Sequence, residues 1–406
     1  MNYSLYGLPE KVIHCKKCLM HNQKPFSVNE AISKIGQGKT GMPINEEGLC
    51  AACEYTSRKR IINWEEREKK LLEKLNKFRR NDGSYDCIVS GSGGKDSSMT
   101  SHLLKYKYGM HPLTITFSPL LYTNVGWRNM QNWISKGGFD NFLFSPNKKI
   151  SKLLAREAFF NLYHPMQPFK FGIKSYAPKL AAKLGINLVM YGESCVEYGS
   201  GDNESDETPS YDKNFYINDD PVYLGGLSIE DVKRKYNFSQ NDLACFLPVT
   251  SEELKDHELT VEHLGWYVKW DPQNAYYYAA ENCGFEADEK RTDGTYGKYT
   301  GIDDKMESLH FYTHYIKFMI GRCRFDASHE IRNGHIEREE GISLAKRYEG
   351  ELPITYLKDC LDYLGITEDE FIKRTDEARS PHLWDKDKEG NWIPIQELKE
   401  IKNHER

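Results

Sequence analysis

Between residues 64 and 78 apolar positions recur at helical spacing, with Leu71, Leu72, Leu75 and Phe78 on one face among Glu, Lys and Arg. This predicts an amphipathic helix bridging an N-terminal unit and the chain that follows. From Tyr85 the period changes. Short apolar runs at 85–90, 112–118, 141–145 and 186–191 alternate with helical stretches at 95–108, 126–136 and 173–184. In the last of these helices Ile173, Ala177, Leu180, Ala181 and Leu184 share one face, and the run after it is continuously apolar, as a strand buried on both sides requires. Such alternation predicts an α/β fold with a parallel sheet, whose ligand crevice opens at the carboxyl ends of the strands. Ser92 to Ser97, Thr116-Phe117-Ser118 and Gly192-Glu193 are then expected to share one crevice.

Beyond Tyr198 the regular alternation gives way to Gly, Asp, Asn and Tyr with short helices, which predicts a mainly helical, substrate-binding region. There Tyr299 to Lys305 precedes a helix from Leu309 to Met319, and Arg322, Arg324, Asp326, His329, Glu330 and Arg332 crowd together in an arrangement suited to an anion. His310 and His314 are four apart but lack the acidic neighbour of H-E-x-x-H, and Leu309, Phe311, Tyr315 and Phe318 around them predict a packed helix. The charged tail beyond Arg379 is expected to be loosely ordered.

Composition narrows the class. A chain of 406 residues with 39% hydrophobic positions is long enough for two or three domains. Four units are expected: a zinc ribbon at 1–60, a linker helix at 61–82, a nucleotide-binding unit at 83–200 and the C-terminal region at 201–406. No apolar run approaches the ~18 residues of a membrane helix, and the first residues lack the pattern of a secretory signal, so a cytoplasmic location without membrane insertion is expected. A net charge of −5 and the absence of a Lys/Arg arm with interleaved aromatics argue against a nucleic-acid partner.

Two cysteine pairs, Cys15-Lys16-Lys17-Cys18 and Cys50-Ala51-Ala52-Cys53, have the C-x-x-C spacing that lets four thiolates converge on one tetrahedral Zn²⁺. Four thiolates leave no open position for water, so the expected role is structural. The 31 residues between Cys18 and Cys50 make a long insert, and Ile35 to Gly41 within it reads as a flexible extension.

The densest chemistry lies where the strand at 85–90 meets Gly91-Ser92-Gly93-Gly94-Lys95-Asp96-Ser97. Glycines let backbone N–H groups close around an anion, and the helix opening at Lys95 adds its dipole and a point charge. The spacing is not G-x-x-x-x-G-K-[ST], which speaks against a kinase or GTPase. The hexapeptide Ser92 to Ser97 resembles the SGGKDS signature of the PP-loop ATP pyrophosphatases, which cleave ATP between the α and β phosphates and so adenylate a carbonyl oxygen.

With the cysteine knuckles, Thr123 to Gly126 and Asn129, Gly192-Glu193, Glu197 to Gly199, Asp303-Asp304-Lys305 and Ile331 to Glu340, the chain resembles the N-acetyl sugar amidotransferases of bacterial surface-polysaccharide and nonulosonic acid biosynthesis. The long insert between the knuckles departs from that family's pattern. The resemblance implies that ATP and ammonia convert an acetamido group on an N-acetyl sugar into an acetamidino group. It implies catalytic roles for Lys95, Asp96, Glu193 and Asp304, and nucleotide binding by Ser92, Gly93, Gly94, Lys95, Asp96, Ser97, Thr116, Phe117, Ser118 and Gly192. It further implies Mg²⁺ on Asp96, with Glu193 or Asp304 as second ligand, and substrate contacts from Tyr198, Lys305, Arg322, Arg324 and Arg332. Cys87, Cys195, Cys245, Cys283, Cys323 and Cys360 lack a glycine-flanked elbow, so ammonia is expected from a separate glutaminase subunit. The alternatives are a tRNA sulfurtransferase, for which Cys195 near the crevice speaks, and a non-catalytic nucleotide-binding regulator.

Overall fold

The computed structural model describes residues 4–26, 30–193, 195–198, 208–210, 216–219 and 221–395. The segment 199–207, whose acidic residues Asp202, Glu204, Asp206 and Glu207 follow Tyr198 in the sequence, and the side chains of Cys195 and Tyr198 lie outside these. Five strands, β1 (Cys87–Ser90), β2 (Pro112–Phe117), β3 (Asn141–Phe144), β4 (Leu188–Tyr191) and β5 (Thr260–His263), form one sheet in the order β3-β2-β1-β4-β5. All neighbours are parallel, with Cys87 opposite Pro112, Ile88 opposite Val189 and Leu188 opposite Thr260. The chain leaves β1 toward one edge and returns to β4 on the other side, so the strand order reverses at β1/β4. That reversal is where an open α/β sheet leaves a crevice.

Period-2 alternation decides which helix covers which face. Ile88, Ile115, Val189 and Val261 pack against Ala177, Leu180 and Ala181 of α6 (Gln167–Leu184). Cys87, Val89, Leu188 and Met190 point the other way, onto Leu71 and Leu75 of α2 (Trp64–Asn76) and onto Leu103 and Leu104 at the end of α3 (Lys95–His102). The helix expected to bridge two units is thus a covering layer of the sheet, and Arg67 donates to the Trp266 carbonyl at 2.9 Å. The sheet also runs past the expected boundary at 200, because β5 lies at 260–263. Its sequence Thr260-Val261-Glu262-His263 puts a buried carboxylate and imidazole in a strand, which hides the apolar run.

The helices α4 (Asn124–Ser135), α5 (Lys148–Leu162), α7 (Pro272–Cys283), α8 (Met306–Phe318) and α9 (Arg322–Asn333) complete the surroundings of the crevice. The cysteine unit is not a separate body. Leu19 and Met20 share a core with Ala327 and Ile331 of α9, and the Leu19 N–H donates to Ser328 Oγ at 3.2 Å. The tail beyond Arg379 contradicts the expectation of loose order through residue 395. Trp384–Lys386 and Trp392–Pro394 pair as an antiparallel hairpin, and buried Trp384 donates its indole N–H to the Ile316 carbonyl at 2.8 Å. The many charges hide this because they are exposed, while one tryptophan fills the core.

One close approach fixes the C-terminal region against the sheet. A Cβ on Gly126, in the first turn of α4, would stand 2.5 Å from the Asp303 Cα. Thr123 caps that helix by accepting from the Gly126 N–H at 2.9 Å, and its hydroxyl donates to the Ile302 carbonyl at 2.5 Å. Gly126→Ala should therefore push the 302–305 segment off α4 and cost about 1–3 kcal/mol, the usual range for overpacking. Urea denaturation of the two proteins measures this; an unchanged midpoint would show that the contact is not needed.

Candidate active site

Between β1 and α3 the backbone turns in a space too small for side chains. A Cβ on Gly91 would lie 2.1 Å from that of Ser97, and one on Gly93 would lie 2.8 Å from the Met130 Cα. Gly93 also has φ +82, a conformation that favours glycine. Gly94 is the N-cap of α3 and contributes no capping side chain, so the first-turn N–H groups at Lys95 to Ser97 face the crevice without an internal acceptor. Across the strand reversal, a Cβ on Gly192 would stand 3.1 Å from the Asp96 carbonyl oxygen. The loop and the end of β4 are in contact, as the sequence predicts.

Lys95 is buried and its ammonium pairs with Asp96 Oδ2. The other oxygen, Oδ1, accepts the indole N–H of Trp270 at 2.8 Å, and Lys95 Nζ sits 5.7 Å from the centre of that ring. Asp96 thus has both oxygens engaged, which suits a role in positioning Lys95. Trp270 is held in turn: Lys59, at the end of α1 (Ala51–Lys59), donates to its carbonyl at 2.5 Å and to Glu197 Oε1 at 2.5 Å. Burial pushes the Glu197 carboxyl up, and Lys59 opposes that shift. Arg332 donates to the Glu197 carbonyl oxygen at 3.0 Å, and the nearby Cys18, Cys53 and Cys50 favour its charge against the cost of burial.

The four cysteines are buried, with their sulfurs all within 4.8 Å of one another and Cys18 and Cys50 3.6 Å apart. Tetrahedral zinc at a Zn–S distance of about 2.3 Å needs sulfurs roughly 3.8 Å apart, so the set fits one such ion. The Lys17 and Cys50 N–H groups donate to Cys15 Sγ, both at 3.4 Å, as bound thiolates require. A metal here would fix the start of α1, because Cys50 is its N-cap, and through Lys59 it would fix Trp270 and Asp96.

A cavity of about 1,110 Å³ opens over Ser92, Gly93, Gly94, Lys95, Asp96 and Glu193. Its lining also includes Asp303, Glu307 and Arg322. Asp303 interacts with Ser92, and its carboxyl is raised by burial and by Glu307. Asp304, the residue expected to take part, is not on this wall. Its oxygens accept the N–H groups of Leu120 at 2.6 Å, Leu121 at 3.2 Å and Met306 at 2.9 Å, and burial pushes its carboxyl up to about 7. Asp304 is a backbone clamp; its neighbour Asp303 and Glu307 are acidic residues that line the cavity beside the loop. An Asp-Asp pair in sequence does not reveal which member turns outward.

Other expected residues also lie elsewhere. Thr116, Phe117 and Ser118 are buried and do not line the cavity. Phe117 is in ring contact with Phe144, Phe169, Tyr176 and Phe246, and Ser118 Oγ accepts from Lys148 at 3.4 Å. Lys305 pairs with Asp359 at 3.1 Å. Arg324 is buried and donates to the Leu19 carbonyl at 3.2 Å, tying α9 to the cysteine unit. Of the three arginines only Arg322 lines the cavity, 3.0 Å from Asp326 and 4.5 Å above the Phe311 ring. Asn129 lines it too, fixed by a two-way bond to the Glu286 backbone at 2.8 and 2.9 Å. The insert between the knuckles supplies Ser33, Lys34, Gly36, Gln37 and Lys39 to the cavity lining, the last three from the stretch Ile35 to Gly41 expected to be a flexible extension.

Residues 293–399, which contain Asp303, Glu307, Arg322 and Arg332, match the family model described as LPS biosynthesis protein WbpG-like, C-terminal domain. That match covers the C-terminal quarter of the chain; the glycine turn and the sheet lie outside it. An uncharacterized protein of Methanocaldococcus jannaschii, MJ1599, is 39% identical over 83 residues, 20% of this chain and 30% of that protein. The chain therefore matches less than a third of that relative's length. Among solved structures, NMN synthetase from Francisella tularensis aligns at 14% identity over 48% of this chain and 82% of its own, with a TM-score of 0.26. U34-tRNA thiolase NcsA from Methanococcus maripaludis aligns at 13% over 80% of this chain and 90% of its own, with a TM-score of 0.30. Scores this low carry no functional argument.

Two substitutions separate the acidic pair. Asp304→Asn should lower Tm, because up to three buried amides lose an anionic acceptor at about 1–3 kcal/mol for each one left unsatisfied. Asp303→Asn should leave Tm within the error of a calorimetric scan and lower ATP turnover. The reverse pattern would return the catalytic role to Asp304. For the cysteine unit, stripping metal with a chelator, or Cys18→Ser, should lower Tm and release zinc measurable by mass spectrometry of the purified protein. A protein that carries no metal and loses no stability would exclude the structural site.

Proposed function

We propose that the protein is an ATP-dependent amidotransferase that turns the acetamido group of an N-acetyl sugar into an acetamidino group, with release of AMP and pyrophosphate. One observation carries this reading: a PP-loop at a strand reversal shares a single cavity with a domain similar to one of lipopolysaccharide biosynthesis. Its volume of about 1,110 Å³ lies just above the ~300–1,000 Å³ usual for one small ligand, which leaves room for a nucleotide and a sugar together.

An amide carbon is a poor electrophile. Its oxygen attacks the α-phosphorus of ATP, an O–P bond forms as the bond to the β-phosphate oxygen breaks, and the acetamido nitrogen loses its proton. The product is an O-adenylated imidate. Ammonia adds to the imidate carbon, AMP leaves with the C–O electron pair, and one proton is lost. Lys95 and the first-turn N–H groups of α3 lie where negative charge grows on the departing pyrophosphate, the kind of preorganised stabilisation worth most in a water-poor site. Asp96 and Trp270 keep Lys95 in place, and Glu193 lies on the same wall. Magnesium, when bound at Asp303 and Glu307 with Asp96 near, would neutralise phosphate charge. The ammonia source is proposed to be a separate glutaminase subunit.

A product assay tests this. With ATP, an ammonium salt and UDP- or CMP-linked N-acetyl sugars, AMP should form in step with a sugar about one mass unit lighter, since NH replaces O. Lys95→Ala and Asp96→Ala should each lower AMP formation by at least about a hundredfold, as losing one charge-stabilising donor does elsewhere. AMP that forms on adding tRNA and not sugar would instead assign the chain as a sulfurtransferase.

A further inference from the structure

The cavity has a second chemical pole. Three imidazoles, His164, His310 and His314, lie on its wall where the end of α5, α6 and α8 meet, together with Lys24, Lys170 and Lys317. His164 stacks on His310 with ring centres 4.7 Å apart, and the His314 ring is 6.4 Å from that of His310. His310 is buried and His164 and His314 are half-buried, all among cations: Lys170 and Lys317 both act on the three imidazoles. All three imidazoles are held below their usual range, burial first and the lysines after it, so they are neutral near pH 7 and can donate a ring N–H.

Such crowding of cations is costly without an anion among them, and two groups, one a neutral imidazole and one an ammonium, lack a partner. His310 is 7% exposed, and its Nδ1 has no hydrogen-bond partner. The Lys170 ammonium forms no ion pair among the described residues. A buried, unsatisfied donor or acceptor facing a cavity costs about 1–3 kcal/mol unless a ligand or water meets it. An oxyanion would satisfy both groups at once.

This pole is not the PP-loop. Glu307, His310, His314 and Lys317 follow one another along one face of α8, and Glu307 lies beside Asp303 and so near Ser92. At 1.5 Å per residue, Lys317 stands about 15 Å further along the helix axis than Glu307. A triphosphate seated on the loop is shorter than that.

We propose that His310, Lys170 and Lys317, with His164 and His314 behind them, form a second oxyanion subsite that binds a phosphate or carboxylate of the co-substrate while ATP occupies the PP-loop. This rests on the two-substrate reading above and deepens it: the sugar is anionic, and it is held by its charge at one end of the cavity with its acetamido group toward the other. The neutral imidazoles and ammonium groups would meet the oxygens with charge-assisted hydrogen bonds, each typically worth ~10-fold or more in affinity.

The test is calorimetric titration of the full chain with inorganic pyrophosphate. Two sites are expected. Lys95→Ala should remove one, and Lys170→Met, at a half-exposed position that tolerates change, should weaken the other at least about tenfold. His310→Gln should act on the same site as Lys170→Met, with Tm recorded to exclude unfolding. Malonate serves as the carboxylate arm: competition at the Lys170-dependent site would identify a carboxylate-reading pocket, and its failure beside strong pyrophosphate binding would identify a phosphate-reading one. A single pyrophosphate site abolished by Lys95→Ala and untouched by Lys170→Met would overturn the proposal, as would no binding at all. Loss of the Lys95-dependent site alone would sink the ATP reading and leave this one standing.

Discussion

The site depends on how closely the backbone packs at the β1–α3 turn. Gly91 and Gly93 have neighbours at 2.1 and 2.8 Å where a Cβ would be, and Gly192 meets Asp96 across the strand reversal. No other residue type lets three backbone segments approach so nearly, and the approach is what points a helix N-terminus into the crevice. The sheet order follows the same constraint, since only a reversal at β1/β4 leaves the turn uncovered.

A second constraint ties the ends of the chain together. The cysteine unit meets a helix far along the chain, through Leu19 and Ser328, 309 residues apart, and through Arg324 to the Leu19 carbonyl, 305 residues apart. From Cys50 the path continues along α1 to Lys59, Glu197 and Trp270, and so to Asp96. Each link is a buried or part-buried hydrogen bond whose loss leaves a polar group unsatisfied, so the path is stiff. A structural metal at one end would therefore bear on the geometry of the phosphate loop at the other.

The sheet was legible because period-2 and period-3.6 patterns alternate cleanly from Tyr85 to Tyr191, and the loop was legible because Gly93, Gly94, Lys95 and Asp96 are consecutive. Distance along the chain hid the rest. β5 carries Glu262 and His263 in place of an apolar run, and its pairing with β4 is a tertiary fact. Trp270 and Lys59 have no local signal, since each matters only through a partner more than a hundred residues away. Phe117 and Arg324 show the opposite error: the right residue type near the right position, consumed by the core and by a carbonyl.

The acidic pair at 303–304 shows why sequence cannot choose between neighbours. Asp304 is buried and meets three backbone N–H groups, whereas Asp303 is half-buried, lines the cavity and faces Ser92 and Glu307. Amide donors hold one carboxylate as a structural anchor, and that anchor sets the backbone from which its neighbour projects. The close contact of Gly126 with the Asp303 Cα presses the same segment from the other side. Asp303 is thus positioned by a clamp and a wall, neither of which contains a group that would itself meet a nucleotide, and precision at a phosphate site comes from such supports as much as from the residues that touch it.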